Sequence, residues 1–344
     1  KEEVLAKIEK LREDVRNGAP AKPSQITVRE HFQDWLLAKK GTVASGTYLL
    51  YENHVRVHIL PELGRVRLKN LTYRRLNHFY WDHLEEKDLA PRTLYDIGAV
   101  LRMGLGDAVR KKLLDPEVVE LATHPKKKKS RPRHMVQDEI DALLLAAKGD
   151  RMEPAFVLAL HTGLRPGELL GLSWRDVDFD RKQLSVRQSL HEEDGKVFIG
   201  AVKTPASERT ISLSDEAISA LRAQQLKQIE EQLETPGWKN EEDLVFTNTK
   251  GGLIRRTHVA SRHLKPVLHR AAMVRLAWRC ELNPEQVLKV YDECGGGPVR
   301  AGDKIRYVDG RTYVVERSDL MDDVSLHTFR HTHASVLILM GVDI

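Results

Sequence analysis

The chain has 344 residues, 41% hydrophobic and 31% charged, with a net charge of +5. That is enough apolar material for two or three packed domains under a surface that leans basic, which suits a polyanion partner without requiring one. Two cysteines without a CxxC pattern argue against a disulfide scaffold or a zinc site. No apolar run approaches the roughly 20 residues that span a bilayer, and no secretory leader is visible, so a cytoplasmic protein is expected.

In chain order, Val4, Ile8, Leu11 and Val15 recur at helical spacing until Asn17-Gly-Ala-Pro20 and Pro23 break the pattern. Residues 1–24 therefore read as a tether helix and linker, or as the first helix of the next domain. Residues 25–123 are helical in pattern. Helices are expected near Val28–Lys39, Ser45–His58, Leu76–Leu84 and Pro91–Lys112, with a turn at Pro61–Gly64. Short turns between helices of this length predict a bundle.

Residues 124–134 change character. Six of the ten residues His124–Arg133 are Lys or Arg, flanked by prolines. Like charges repel and proline interrupts a helix, so the stretch predicts an extended linker. Lys126, Lys127, Lys128, Lys129, Arg131 and Arg133 either lie along a phosphate backbone or line a solvated hinge.

A mixed domain is expected over 135–344. Helical spacing marks Ile140–Ala147, Pro154–His161, the residues after Arg165 through Leu170, Asp215–Leu233 and Thr257–Ala272. Short strands are expected at Val177–Phe179, Leu184–Ser189, Thr210–Leu213 and Leu244–Thr247. The fold class is thus mainly α with a small β-sheet. Within 273–323 a short helix is expected at Asn283–Tyr291 and a hairpin with a type I′ turn at Asp309-Gly310.

Three segments carry chemistry. In His161-Thr-Gly-Leu-Arg165-Pro-Gly-Glu168, the arginine precedes a proline suited to the first helical position, so it projects from a helix start where backbone N–H groups also face out. It either binds a phosphate or pairs with Glu168, three residues on. In His327-Thr-Phe-Arg330-His331-Thr-His333, His327 and Arg330 share a helix face, joining a proton carrier to a fixed cation. Metal ligation by the three histidines competes with that reading, but no acidic ligand accompanies them. Lys203 sits at the mouth of a turn between two short strands, where a solvated lysine is equally ordinary.

Together, HTGLRPGELLGLSW, HTFRHTHAS and the lysine turn resemble the tyrosine recombinase (phage integrase) family, over nearly the whole chain. His54-Val-Arg-Val-His-Ile-Leu-Pro-Glu-Leu-Gly64 is similar to that family's core-DNA-binding domain. The resemblance implies a helical core-binding domain (25–123) and a catalytic domain (135–344), gripping duplex DNA together. It implies that Arg165, Lys203, His327 and Arg330 are catalytic, with Glu168 supporting them. The implied reaction cleaves and rejoins DNA through a covalent 3′-phosphotyrosine, without metal or other cofactor. The implied partners are double-stranded attachment sites, a homotetramer at synapsis, and a host bending factor or an excision factor. The implied setting is the nucleoid in the cytoplasm.

The sequence departs from the family pattern twice. All eight tyrosines precede Arg330, so no residue matches the nucleophile, and the chain reads as a fragment truncated at its C-terminus that binds DNA without cleaving it. The spacing before His327 is also long, so 273–323 reads as an inserted subdomain. Its role stays open between a DNA contact, a protomer contact and a neutral decoration. Two other readings remain, a resolvase-type recombinase and an inactive DNA-binding protein on this fold. The joint presence of Arg165, Lys203, His327 and Arg330 opposes the second.

Overall fold

The computed structural model describes residues 25–84, 87, 89–126, 132–193, 195–202 and 207–340. The expected tether helix (1–24) and Lys127, Lys128, Lys129, Arg131 and Lys203 lie outside the described residues. The chain divides into two compact units, 1–130 and 131–344.

The first unit is helical. Helix α1 (Val28–Lys39) opens on a reciprocal cap: the Thr27 hydroxyl accepts from the Glu30 amide, and the Glu30 carboxylate accepts from the Thr27 amide. Its buried face, Val28, His31, Phe32 and Trp35, follows helical spacing. That face packs on α5 (Pro91–Arg110), where Gly104 admits the Phe32 ring. A Cβ there would stand 2.3 Å from the ring. The bared Gly104 carbonyl bonds His31 Nε2 at 2.8 Å.

Between them, α2 (Ser45–His54) continues through a π turn (Val55–Ile59) into α3 (Leu60–Leu63). The expected turn at Pro61–Gly64 is therefore helix as far as Leu63. Proline cannot donate to the preceding helical turn. The widened turn, in which Leu60 N–H reaches back to the Val55 carbonyl, absorbs the break. The expected helix at Leu76–Leu84 starts earlier, as α4 (Tyr73–His78), because Thr72 caps the Arg75 amide. It then loosens into a second π turn (Phe79–His83). A short helix not anticipated, α6 (Pro116–Glu120), is capped by Asp115. His124 also belongs to this unit rather than to an extended linker. Its ring bonds the Tyr80 hydroxyl at 2.9 Å and the Val119 carbonyl at 3.2 Å.

In the second unit, α7 (Gln137–Ala147), α8 (Glu153–Thr162), α9 (Pro166–Leu170), α10 (Asp215–Glu234), α12 (Lys265–Arg279) and α14 (Leu326–Leu339) surround one apolar core. Phe156 of α8 stacks on Phe329 of α14 with ring centroids 5.7 Å apart. Helix α12 is preceded by α11 (Arg256–Val259) and a π turn (Ala260–Leu264), so the segment expected to end at Ala272 runs on to Arg279. Strands β1 (Val177–Asp178), β2 (Gln183–Val186) and β5 (Arg209–Ser212) form an antiparallel sheet in the order β1-β2-β5, with Leu184 opposite Ile211.

Three strand expectations need correction. Leu184–Ser189 is not one strand: it divides into β2 and β3 (Gln188–Glu193), and β3 pairs with the unanticipated β4 (Lys196–Ala201) in a separate hairpin. Leu244–Thr247 makes a single bridge, Ser173 to Leu244, because Gln224 and Gln228 take its Leu244 and Val245 carbonyls. The late hairpin, β6 (Lys304–Arg306) with β7 (Thr312–Val314), has no type I′ turn. That turn needs positive φ at both central residues, whereas Gly310 has φ +82° and Asp309 is not among the positive-φ residues. Gly310 N–H donates to the Tyr307 carbonyl and Tyr307 N–H to the Arg311 carbonyl, closing a three-residue loop.

The stretch between α12 and α14 also holds α13 (Pro284–Glu293). It is fastened by Arg279, whose guanidinium donates to buried Asp319, to Glu316 and to the Val314 carbonyl. Among the described residues, no helix is long and apolar enough to cross a membrane.

Candidate functional site

The site begins at the C-terminal end of α8. Gly163 takes the left-handed conformation (φ 60°) that ends the helix, and the chain turns directly into α9 with Arg165 as its N-cap and Pro166 at the first helical position. Glu168, in the first turn of α9, accepts from the Arg165 amide at 3.0 Å and from the Arg165 guanidinium at 2.7 Å. So the two readings of Arg165 are not exclusive. Its pair with Glu168 fixes the side chain, and about half of that side chain remains exposed.

Glu168 also pairs with Arg209 at the start of β5, at 2.8 and 3.3 Å. Burial would raise the Glu168 carboxyl, but the bonds from Arg209 and from the amide and guanidinium of Arg165 outweigh it and hold the group below its ordinary range. It is therefore a carboxylate shared by two arginines.

Helix α14 brings the second motif to the same place. Arg330 donates to the Gly163 carbonyl at 2.7 Å. Burial, then the charges of Arg165 and Arg209, press its guanidinium below the usual range, with Glu168 opposing them. Three guanidiniums thus crowd one carboxylate. The excess positive charge, partly screened from water, is a receptor for an anion. His327, one helical turn before Arg330, is held below the ordinary histidine range by burial first, then by His331, Arg256, Arg330 and Arg165. That shift favours the uncharged ring, which can both donate and accept.

The turn at Gly163 is a joint between the two motifs. His333 Nδ1 donates to the Leu160 carbonyl at 2.9 Å, and its ring lies over Gly163, where a Cβ would stand 2.5 Å from Cδ2. Carbonyls left free at the end of α8 are thereby capped by side chains of α14. Gly163→Ala should consequently lower stability by about 1–2 kcal/mol from left-handed strain alone, and more because His333 must move. A thermal melt within about 1 °C of the parent would show that the joint is not under this constraint.

Two contributors are not legible in the sequence. Arg209 reads there as part of the lysine turn, without a role, yet it completes the Glu168 pair. Arg256, the first residue of α11, shares with His327, Pro166 and Ser325 a mostly apolar cavity of about 500 Å³. Glu192 of β3 accepts from its backbone amide at 2.7 Å and from Nε at 3.3 Å. No signal within the sequence ties residue 192 to residue 256.

Of the residues expected to touch a DNA backbone, Arg133 is engaged inside its own unit. Glu139 and Asp323 each accept from it at 2.7 Å, and the His134 carbonyl accepts as well. Lys126 is exposed. Among the described residues, no group of three or more His, Cys, Asp or Glu side chains is placed to hold a metal ion. His333 spends its Nδ1 on a carbonyl.

Comparison with known proteins bears on the family and the fold. Residues 133–274 match the model of the phage integrase family, and residues 27–95 match that of the phage integrase N-terminal SAM-like domain. A tyrosine recombinase XerC-like protein of Caldanaerobacter subterraneus subsp. tengcongensis is 27% identical over 293 residues, covering 79% of this chain and 74% of that protein. An integrase of Streptomyces ambofaciens is 27% identical over 274 residues, covering 75% of this chain and 67% of its own. Among solved structures, the Tn1549 transposon integrase in complex with transposon right-end DNA shares the fold. Its TM-score is 0.66 at 17% identity, over 92% of this chain and 88% of that one. The family match stops at residue 274, before His327 and Arg330, and it is the fold that carries these two residues back to Arg165. With both domain models matched in order along one chain, the protein belongs to the tyrosine recombinase (phage integrase) family.

Proposed function

We propose that this protein is a site-specific DNA recombinase of the integrase type, which cleaves and rejoins duplex DNA through a 3′-phosphotyrosine to integrate or excise a mobile element. One observation carries the reading: Arg165, Arg209 and Arg330 gather around Glu168, with His327 beside them. In phosphoryl transfer, charge spreads over the non-bridging oxygens, and a fixed set of guanidiniums is suited to receive it. In this reading Arg165 and Arg330 clamp the scissile phosphate and Glu168 holds Arg165 in position. His327 bonds a phosphate oxygen or exchanges a proton with the attacking hydroxyl. Lys203 protonates the departing 5′ oxygen. No metal or cofactor enters the scheme. The partners are double-stranded attachment sites, with four copies at synapsis and a bending or excision factor as accessory. The setting is the nucleoid.

None of the eight tyrosines lies beyond Arg330, where the family pattern puts the nucleophile, so the 344 residues are assigned binding without cleavage. Fluorescence anisotropy with a labelled duplex should show affinity falling steeply between about 50 and 200 mM salt, by roughly 10³-fold if six or more phosphates are neutralised. A nicked suicide duplex should leave no covalent adduct on a denaturing gel. Binding indifferent to salt would sink the DNA reading, whereas an adduct would sink only the assignment of binding without cleavage.

A further inference from the structure

The stretch between α12 and α14 sends Val287, Val315 and Met321 into the core, while the charges of its two-stranded ribbon are sorted in an uneven way. Along β6 and β7 the side chains alternate. Ile305 and Tyr313 turn inward and pack against the apolar core, while Lys304, Arg306, Thr312 and Val314 face solvent. Lys304 lies opposite Val314, and Arg306 opposite Thr312. Arg300, also exposed, precedes the ribbon.

The acids of the ribbon and its base are hydrogen-bonded locally. Asp303 accepts from the Arg300 amide, and Asp309 accepts from the Arg311 amide and the Tyr313 hydroxyl. Glu316 and Asp319 are bound to Arg279. Among the described residues, the side chains of Arg300, Lys304 and Arg306 make no ion pair or hydrogen bond. Residues 300–314 carry Arg300, Lys304, Arg306 and Arg311 against Asp303 and Asp309, so the balance of the ribbon is positive. The loop tip adds an exposed apolar residue, Val308, 68% accessible.

The ribbon is also fastened to the candidate site. Val299, Leu320, Met321 and Val324, which flank it in sequence, line the same cavity as His327, and Arg279 bolts its base. From Val314 to His327 the chain can stretch no more than about 45 Å, the length of about 13 base pairs of B-form duplex. The ribbon therefore lies no farther from His327 than a duplex of that length would span.

We propose that the outward face of the β6–β7 ribbon, with Arg300, Lys304 and Arg306, is an additional contact for the phosphate backbone of duplex DNA. The contact deepens the recombinase reading and rests on it. It widens the footprint of the catalytic unit without reading sequence, because phosphate contacts position a protein while base edges specify its site.

The test uses the whole chain and a labelled duplex, with affinity measured at several salt concentrations. Each phosphate contact contributes about 0.9 to the slope of log affinity against log salt. The triple variant Arg300→Gln, Lys304→Gln, Arg306→Gln should make that slope shallower by roughly 2–3 and weaken binding by roughly 100-fold or more near 0.1 M salt. Should the triple variant melt early, the single variants Lys304→Gln and Arg306→Gln carry the test, each removing about 0.9 from the slope. A parent chain with a steep slope that the variants do not change would overturn the ribbon contact and leave the recombinase reading standing. A parent chain that binds duplex without salt dependence would remove both. Variants that alter self-association in sedimentation but not the salt slope would mark the ribbon as a contact between copies of the chain, which also overturns the proposal.

Discussion

Arg165→Ala and Arg330→Ala should each lower DNA cleavage by about 10³-fold or more while changing duplex affinity by less than about tenfold. The measurement needs the protein with a tyrosine downstream of Arg330, a nicked suicide duplex, and single-turnover conditions so that chemistry is separated from release. The asymmetry between cleavage and binding comes from what each arginine meets. In the bound state a phosphate carries one charge, and many other cations share in holding the duplex. In the proposed mechanism, charge develops in the transition state on the oxygens these two guanidiniums would clamp, where a planar donor pair is not replaced by another group. Lysine at either position should recover little, because an ammonium is a point charge without the fork. The two losses should not add if, as proposed, both groups serve one phosphate. Each arginine also has a structural partner, the Gly163 carbonyl for Arg330 and the Glu168 carboxylate for Arg165, so both alanine variants should melt below the parent. Equal losses of binding and cleavage would show that these arginines hold DNA rather than drive its chemistry.

Legibility in the sequence divides along chain distance. Arg165 and Glu168 lie three residues apart, so a proline, a glycine and helical spacing are enough to place them on one turn. His327 and Arg330 are legible for the same reason. Nothing local links Arg209 to Glu168 or Arg256 to Glu192, because each pair is made by tertiary packing. Both arginines therefore pass as ordinary surface cations. The helices with apolar stripes are readable, but their interruptions at Val55–Ile59, Phe79–His83 and Ala260–Leu264 are not. A π turn changes a hydrogen-bond partner without changing the hydrophobic pattern until several residues later. The hairpin of β3 and β4 does carry a local signal: Asp194-Gly195 stands between two runs of strand-forming residues. His124 is hidden by its neighbours. It opens a strongly basic run, yet Tyr80 and the Val119 carbonyl claim its ring.

Removing the shared carboxylate should reach the fold as well as the chemistry. Glu168→Ala leaves Arg165, Arg209 and Arg330 facing one another with no counter-charge. Breaking a fully buried pair costs about 3–5 kcal/mol. Here Arg165 is about half exposed and Arg209 about a quarter, so water recovers part of the loss and about 2–3 kcal/mol is expected. In the transition of the second unit that is a fall of roughly 5–10 °C. The pH dependence gives a sharper signature. Because the folded carboxyl titrates below its ordinary value of 4.5, the unfolded chain binds more protons in that window, and stability rises with pH through it. The contribution is complete above the unfolded value and is lost as pH falls through the folded one. The gap between parent and Glu168→Gln should therefore be widest near neutral pH and close progressively below about pH 4. A gap that stays constant down to about pH 2 would mean that shape, not the charge shared between Arg165 and Arg209, is what Glu168 supplies. Added phosphate or a duplex should narrow the gap at neutral pH by stabilising the variant more than the parent, because an anion seated among the three guanidiniums takes over the neutralising role the glutamate has lost.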